Sequence, residues 1–410
     1  MSPITVLGIC QILGWGSSFY LPAVLANPIA AELGFPFSWV IGGVSLGLLV
    51  AGLASRRIGK TIHRYGGRPV LIASSLLFAL GLAALSQANS LTVFYLAWAI
   101  IGLGMGSGLY DASFSTLGKI YGDGARRPIT ALTLWGGFAS TVCWPISAYL
   151  SETLGWRDTC LVYAALHLLL GLPLYAFALP RGQSGKPIEA TVSKAANQAD
   201  DASPWLFPIL ASAITLGSAL VSITGIHLLT MLQAQDIALA TAVAFGALIG
   251  PSQVGARIVE IVFGNRYHPI WTLGASTILM AGGLALLSSS PAIVAVAIVI
   301  YGSGVGIQSI ARGTVPLVLY GKERYALVIG RLAMFALIAQ SVSPTLTAIL
   351  FEAVGVPATL HILTALAATN IALVAVLGNS AGYDLKRRED ALLRRNLRAA
   401  CRTGSRRGRS

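Results

Sequence analysis

The sequence predicts an all-α integral membrane protein of twelve transmembrane helices, arranged as two six-helix pseudo-repeat bundles with both termini cytoplasmic. Three observations carry this. Apolar residues make up 55% of the 410 and charged residues only 10%, against roughly 25% charged in an ordinary soluble domain. The basic residues are confined to alternate connections. A set of landmarks recurs at a separation of 200 residues.

A spanning helix needs about 20 mostly apolar residues. Read this way, the chain carries spans near 4–27, 37–56, 69–88, 92–118, 128–150, 158–179, 204–232, 238–258, 270–288, 292–318, 326–350 and 357–378. The first is too long for the apolar region of a signal peptide and has no basic residues before it, so it reads as a retained span. All 28 Lys and Arg except Arg157 fall in or beside the connections after spans 2, 4, 6, 8 and 10 and the C-terminal tail. The opposite connections hold Glu32, Glu152, Asp158, Asp236 and Glu352. This is the positive-inside pattern, and it places both termini in the cytoplasm; the expected location is a bacterial inner membrane.

The formal charge of +13 therefore belongs to the membrane surface, not to nucleic acid. From Tyr383 to Ser410 the tail holds ten Lys or Arg and three acids. Two readings of it stand: a segment lying on anionic lipid, or a solvated tail that fixes topology.

The repeat aligns Arg57 with Arg257, Pro69 with Pro269, and Gly102, Gly104 and Gly106 with Gly302, Gly304 and Gly306. Glu152 and Gly155 align with Glu352 and Gly355. Expected units are thus a bundle over 1–180, a polar linker over 181–203, a second bundle over 204–380 and a basic tail over 381–410. Two six-helix halves in parallel repeat are a transporter layout with the substrate site between the halves.

The segment Gly59-Lys60-Thr61-Ile62-His63-Arg64-Tyr65-Gly66-Gly67-Arg68 resembles the loop 2–3 signature of major facilitator transporters, G-x-x-x-D-R-x-G-R-R. Gly59, Arg64, Gly66 and Arg68 match. His63 stands where the acid is usual, and Gly67 replaces a basic residue. Arg257, Glu260 and Arg266 form the echo in the second half, with Arg257 and Glu260 spaced to pair on one helix. Leu154-Gly155-Trp156-Arg157 is similar to a second landmark of the family. The resemblance implies that the loop braces the outward-facing state and that spans 1, 4, 7 and 10 line the central cavity. His63 reads either as a group titrating near neutral pH or as a loop histidine without a switching role. The glycine-rich helix 5 of family antiporters survives only as Gly136, Gly137 and Pro145, with Trp144 beside the proline.

Charge within the bilayer is costly, so intramembrane ions are functional candidates. Asp111 in span 4 and Arg312 in span 10 sit one residue apart in the repeat. Arg312 is expected to hold an anionic or polar substrate group, and Asp111 to take up and release a coupling proton. A gate pairing, or snorkelling without a specific role, are the other readings. Gln11, Trp15, Tyr20, His227 and Gln308 are further candidates for the cavity.

No nucleotide-binding G-x-x-x-x-G-K-[ST] and no H-E-x-x-H or G-x-S-x-G occurs in the sequence, so an ATP-driven pump and the corresponding enzymes are not indicated. The expectation is a monomeric, cofactor-free secondary transporter that moves a small solute by proton-coupled efflux. Proton-coupled uptake of a small monocarboxylate and a non-transporting sensor are the alternatives. The chain loosely resembles bacterial facilitators that export arsenite and also monocarboxylate-type members. Cys10 and Cys143 would serve the first as soft ligands, or act as small hydrophobes. Arg312 would serve the second as the anion partner.

Overall fold

The computed structural model describes residues 1–180, 205–288 and 293–407, which are helical nearly throughout. The expected linker lies outside the described residues, and so do the side chains of the basic tail from 381 onward.

The first half comprises α1 (Pro3–Gly16), α2 (Pro22–Leu33), α3 (Phe37–Tyr65), α4 (Gly67–Ser86), α5 (Leu91–Gly108), α6 (Tyr110–Tyr121), α7 (Arg126–Gly137), α8 (Ala139–Leu154) and α9 (Trp156–Leu166). Two short wide turns, His167–Gly171 and Leu174–Ala178, continue α9. The second half comprises α10 (Leu206–Gln233), α11 (Leu239–Gly246), α12 (Ile249–Phe263), α13 (Pro269–Leu287) and α14 (Val294–Arg407). The last of these turns sharply at Gly321 and Gly355.

Every expected span falls on helix, but four of them are interrupted. The first breaks into α1 and α2, the fourth at Leu109, the fifth at Phe138, and the eighth between α11 and α12. Among the described residues, seven helical stretches are long and apolar enough to cross a bilayer. Two of these, Leu91–Leu154 and Val294–Ser380, each cover more than one expected span. Side chains such as Leu169 (78% exposed) and Phe177 (86% exposed) point outward. An apolar exterior of this kind needs lipid as its solvent.

The Glu-x-x-Gly repeat has a backbone cause. Gly155 (φ 87°) and Gly355 (φ 80°) both end a helix in a conformation open essentially to glycine alone. The glycine run has a packing cause. Gly102 and Gly106 lie against the backbone of Gly47 and Ala51, while Gly302 and Gly306 lie against that of Ile249 and Gln253. The facing helix is therefore in register at 202 residues, not 200. Two residues turn a helix by about 200°. The Arg57–Arg257 match of the sequence is thus not a structural equivalence: Ser55 occupies the place of Arg257, and Arg57 faces elsewhere.

The apolar core forms two clusters in each half. One of those in the first half incorporates Leu317, Tyr325, Ala326 and Ile329 from the second. This shared cluster lies at the end that carries the basic connections, here called the basic end.

Candidate functional site

Leu109 leaves the helical conformation (ψ −164°), and α6 starts afresh behind it with Asp111 in its first turn. An acid is favoured there by the helix dipole. The break frees the carbonyl of Gly108, and Gln11 of α1 donates to it at 2.7 Å. Gln11 also donates to Ser113 Oγ at 2.9 Å, and its oxygen accepts from Trp15 Nε1 at 3.0 Å. Gln11 is therefore fully engaged in holding the break, and Asp111 is aimed across the interface.

Arg312 Nη2 meets Asp111 Oδ2 at 2.7 Å, with both side chains about one-sixth exposed (17% and 16%). A cavity of about 10 Å³ beside Asp111, lined by Ser55, Gly59, Gly106 and Ser115 among others, has room for about one water. Around the pair the halves interlock. Gly59 of α3 crosses Gly330 of α14 so closely that a Cβ on Gly59 would sit 2.5 Å from the Ala326 carbonyl. The Tyr325 ring covers Gly118. Lys322 pairs with Asp123 at 3.2 Å. Arg126 pairs with Glu260 at 3.5 Å and donates to the carbonyls of Tyr267 and Gly264.

Glu260 does not pair with Arg257 as their spacing led us to expect. It faces Arg126 and accepts from Thr272 Oγ1 at 2.8 Å. Arg257 turns inward instead. It is 4% exposed, donates to Gly306 O and Gln253 Oε1, each at 3.2 Å, and has no acid partner among the described residues. Its Nη1 is buried without a hydrogen bond and packs against Gly137 of the first half. The Tyr110 hydroxyl packs on neighbouring Gly136. The end of α7 at Phe138 is where these groups converge. Trp15 lies 5.1 Å from Tyr110 and 6.1 Å from Tyr20, and Tyr20 lies 6.0 Å from Trp144, centroid to centroid. A buried cation with a spare donor thus stands beside a wall of aromatic rings.

Other sequence candidates lie elsewhere. His227 bonds Pro344 O at 2.9 Å and packs on Phe351. Gln308 is buried against Gly217. In the loop signature Gly66 (φ 85°) turns the chain, Arg68 donates to the Ala176 carbonyl, and Arg64 covers the Tyr65 ring. The His63 carbonyl accepts from Lys119, and its ring reaches the Glu323 backbone across the interface. Arg266 is exposed. Cys10 and Cys143 are buried and turn to separate partners, Tyr175 and Ile12 O.

At the opposite end, Arg157 makes the Trp156–Arg157 landmark intelligible. Its guanidinium meets Glu32 at 2.7 Å, donates to Ser86 O and Ala88 O, and covers the Trp156 ring. Trp156 Nε1 donates to the other Glu32 oxygen at 2.6 Å. These bonds, that from Arg157 above all, hold the Glu32 carboxyl below its ordinary range.

A helical bundle with a lipid-facing exterior, closed at one end by ion pairs between its halves, defines a multi-pass membrane protein. The family model described as Major Facilitator Superfamily matches residues 6–264, and the chain belongs to that family, whose members are transporters. Mouse monocarboxylate transporter 11 is 33% identical over 142 residues, covering 33% of this chain and 30% of that protein. The purine ribonucleoside efflux pump NepI of Escherichia coli is 26% identical over 150 residues, covering 37% of this chain and 38% of NepI. These matches span about a third of each relative's length. The transporter FucP, solved in the outward conformation, superposes with a TM-score of 0.72 at 12% identity, over 92% of this chain and 99% of FucP. The fold is shared.

Proposed function

We propose that this protein is a secondary transporter that moves a small organic anion by alternating access, with Arg257 as the anion anchor. The observation that carries the reading is the spare donor of Arg257, buried between the halves with no acid to neutralise it among the described residues. A buried cation without a counter-charge is costly, and a carboxylate from outside the chain would relieve that cost with a charge-assisted hydrogen bond. The aromatic wall of Trp15, Tyr20, Tyr110 and Trp144 offers apolar contact to the body of such an anion. The partial likeness to monocarboxylate transporters supports the same substrate class.

Asp111 and Arg312 are the latch of the basic end in this reading, and Asp111 is the coupling group. Opening that end breaks the Asp111–Arg312, Asp123–Lys322 and Arg126–Glu260 pairs together. A proton on Asp111 removes the acid from one of the two buried pairs and so favours opening. The basic end is cytoplasmic in this scheme, the two bundles are the rocking units, and the closed state is outward-facing. The likeness to NepI supports export as the direction. The test is accumulation in proteoliposomes under an imposed pH gradient, with a monocarboxylate panel and a purine ribonucleoside side by side. Wild type is expected to accumulate a carboxylate. Asp111→Asn is expected to lose gradient-driven accumulation while still exchanging carboxylate for carboxylate. Ribonucleoside transport without carboxylate transport would overturn the reading.

A further inference from the structure

A second cavity does not lie between the halves. It is a groove of about 350 Å³ on the outer surface of the first half, where α3, α4 and α5 meet, and its walls include Ala54, Arg57, Tyr65, Ala73, Leu77 and Leu103. Nearly all of its lining is apolar. From Ala54 to Tyr65 the wall rises about 16 Å, at 1.5 Å per residue. That is about half of a 30 Å hydrocarbon core, and Tyr65 and Pro69 place the mouth at the basic end. Neighbouring Leu53, Leu76 and Leu80 are 60%, 48% and 59% exposed, so the groove opens onto the lipid-facing surface.

One lining residue does not fit an apolar groove. Arg57 is exposed in it and forms no ion pair with any described residue. The register difference between the halves accounts for this. Arg257, two residues out of step, turns into the protein, whereas Arg57 turns out. Arg57 directly follows the expected second span, 37–56, so its guanidinium reaches the headgroup level, where an anion or water can meet it. No described residue of its own chain supplies a carboxylate.

We infer that the groove is a binding site for one anionic phospholipid of the leaflet at the basic end, with an acyl chain along α4 and the phosphate on Arg57. The occupant follows from the groove's place and charge: its wall is hydrocarbon-facing, its length matches one leaflet, and its single formal charge complements a phosphodiester. Gly59 and Ile62, on the other side of the same helix, face Gly330 and the shared core cluster. A lipid seated here therefore buttresses the helix that closes the basic end.

The experiment is native mass spectrometry of the full-length protein, extracted in mild detergent and exposed to phosphatidylglycerol or phosphatidylcholine of equal chain length. Wild type is expected to retain one phosphatidylglycerol at least tenfold more than phosphatidylcholine. Arg57→Gln is expected to lose that preference, and Arg57→Lys to keep most of it, which separates charge from folding. Arg64→Gln, which removes a cation of the same helix that does not line the groove, is expected to retain the lipid. Ala73→Phe, which fills the groove, is expected to release both lipids. Equal retention of the two lipids by wild type, unchanged preference in Arg57→Gln, equal loss in Arg64→Gln, or undiminished retention in Ala73→Phe would each overturn the inference.

Discussion

Arg312 reaches Asp111 across the two halves of the chain at 2.7 Å, and the break at Leu109 that aims Asp111 is held by Gln11. Removing either charge leaves its partner buried and uncompensated, which is worse than removing both. Asp111→Asn and Arg312→Gln are each expected to loosen the basic end, and the double variant to loosen it less than the sum. The coupling should be about 0.5–3 kcal/mol. The readout is maleimide labelling of Ser115→Cys in a background without the native cysteines: labelling should accelerate in each single variant.

The α3–α14 crossing is backbone on backbone. A Cβ at Gly59 would lie 2.5 Å from the Ala326 carbonyl and 3.0 Å from Gly330 Cα. Neither atom can move without its helix, so Gly59→Ala should disfavour the closed basic end. Gly282→Ala, which meets nothing within 4 Å, should be neutral. Spin-label distances across the basic end distinguish them, with a longer distance expected only for the first.

Glu32 gives a pH signature at the other end. Its carboxyl is held below the ordinary range by Arg157, with Trp156 adding to the effect. A depressed folded-state value contributes stability above the unfolded value, about 4.3. That contribution is lost as pH falls through the folded value. Thermal unfolding of wild type should therefore soften in acid below about pH 4.3, and Glu32→Gln should soften less over the same window.

His268 gives a second, of the same sign for a different reason. Its Nδ1 accepts from Ile270 N–H at 3.3 Å at the start of α13. Burial and then the nearby Arg126 charge lower its proton affinity. The native state favours neutral His268, so its contribution is complete above the unfolded value of about 6.5 and lost below it. Arg126, which pairs with Glu260, is part of the basic-end closure. Acidification from about pH 7 to 5.5 should loosen that closure. His268→Asn, which keeps a capping acceptor, should make it insensitive over that range, measured by the same spin-label distances.

Much of the architecture was legible because lipid imposes it. Every apolar run became helix, and the Gly155 and Gly355 matches mark real backbone turns. The Asp111–Arg312 pair was legible because charge in an apolar run is conspicuous. The breaks at Leu109 and Phe138 were not: Gly108 and Gly136–Gly137 stand directly before them, but glycines in this chain also mark close helix packing, as at Gly102 and Gly106. Arg257 was misplaced for a definite reason. An acid three residues on offers a plausible partner in sequence, but Arg126, from the other half, takes that acid. The offset of 200 hid a local register of 202, which only the packing of Gly102 and Gly302 exposes.

The central claim is that Arg257 anchors an organic anion, and carboxylate counterflow in proteoliposomes tests it most directly. Vesicles are loaded with an unlabelled small carboxylate and entry of the labelled one is followed without any pH gradient. The account predicts exchange by wild type, a loss of apparent affinity of roughly 10- to 100-fold in Arg257→Gln from the missing charged hydrogen bond, and partial recovery in Arg257→Lys. Wild-type exchange by Arg257→Gln, or no carboxylate exchanged by wild type, would contradict it.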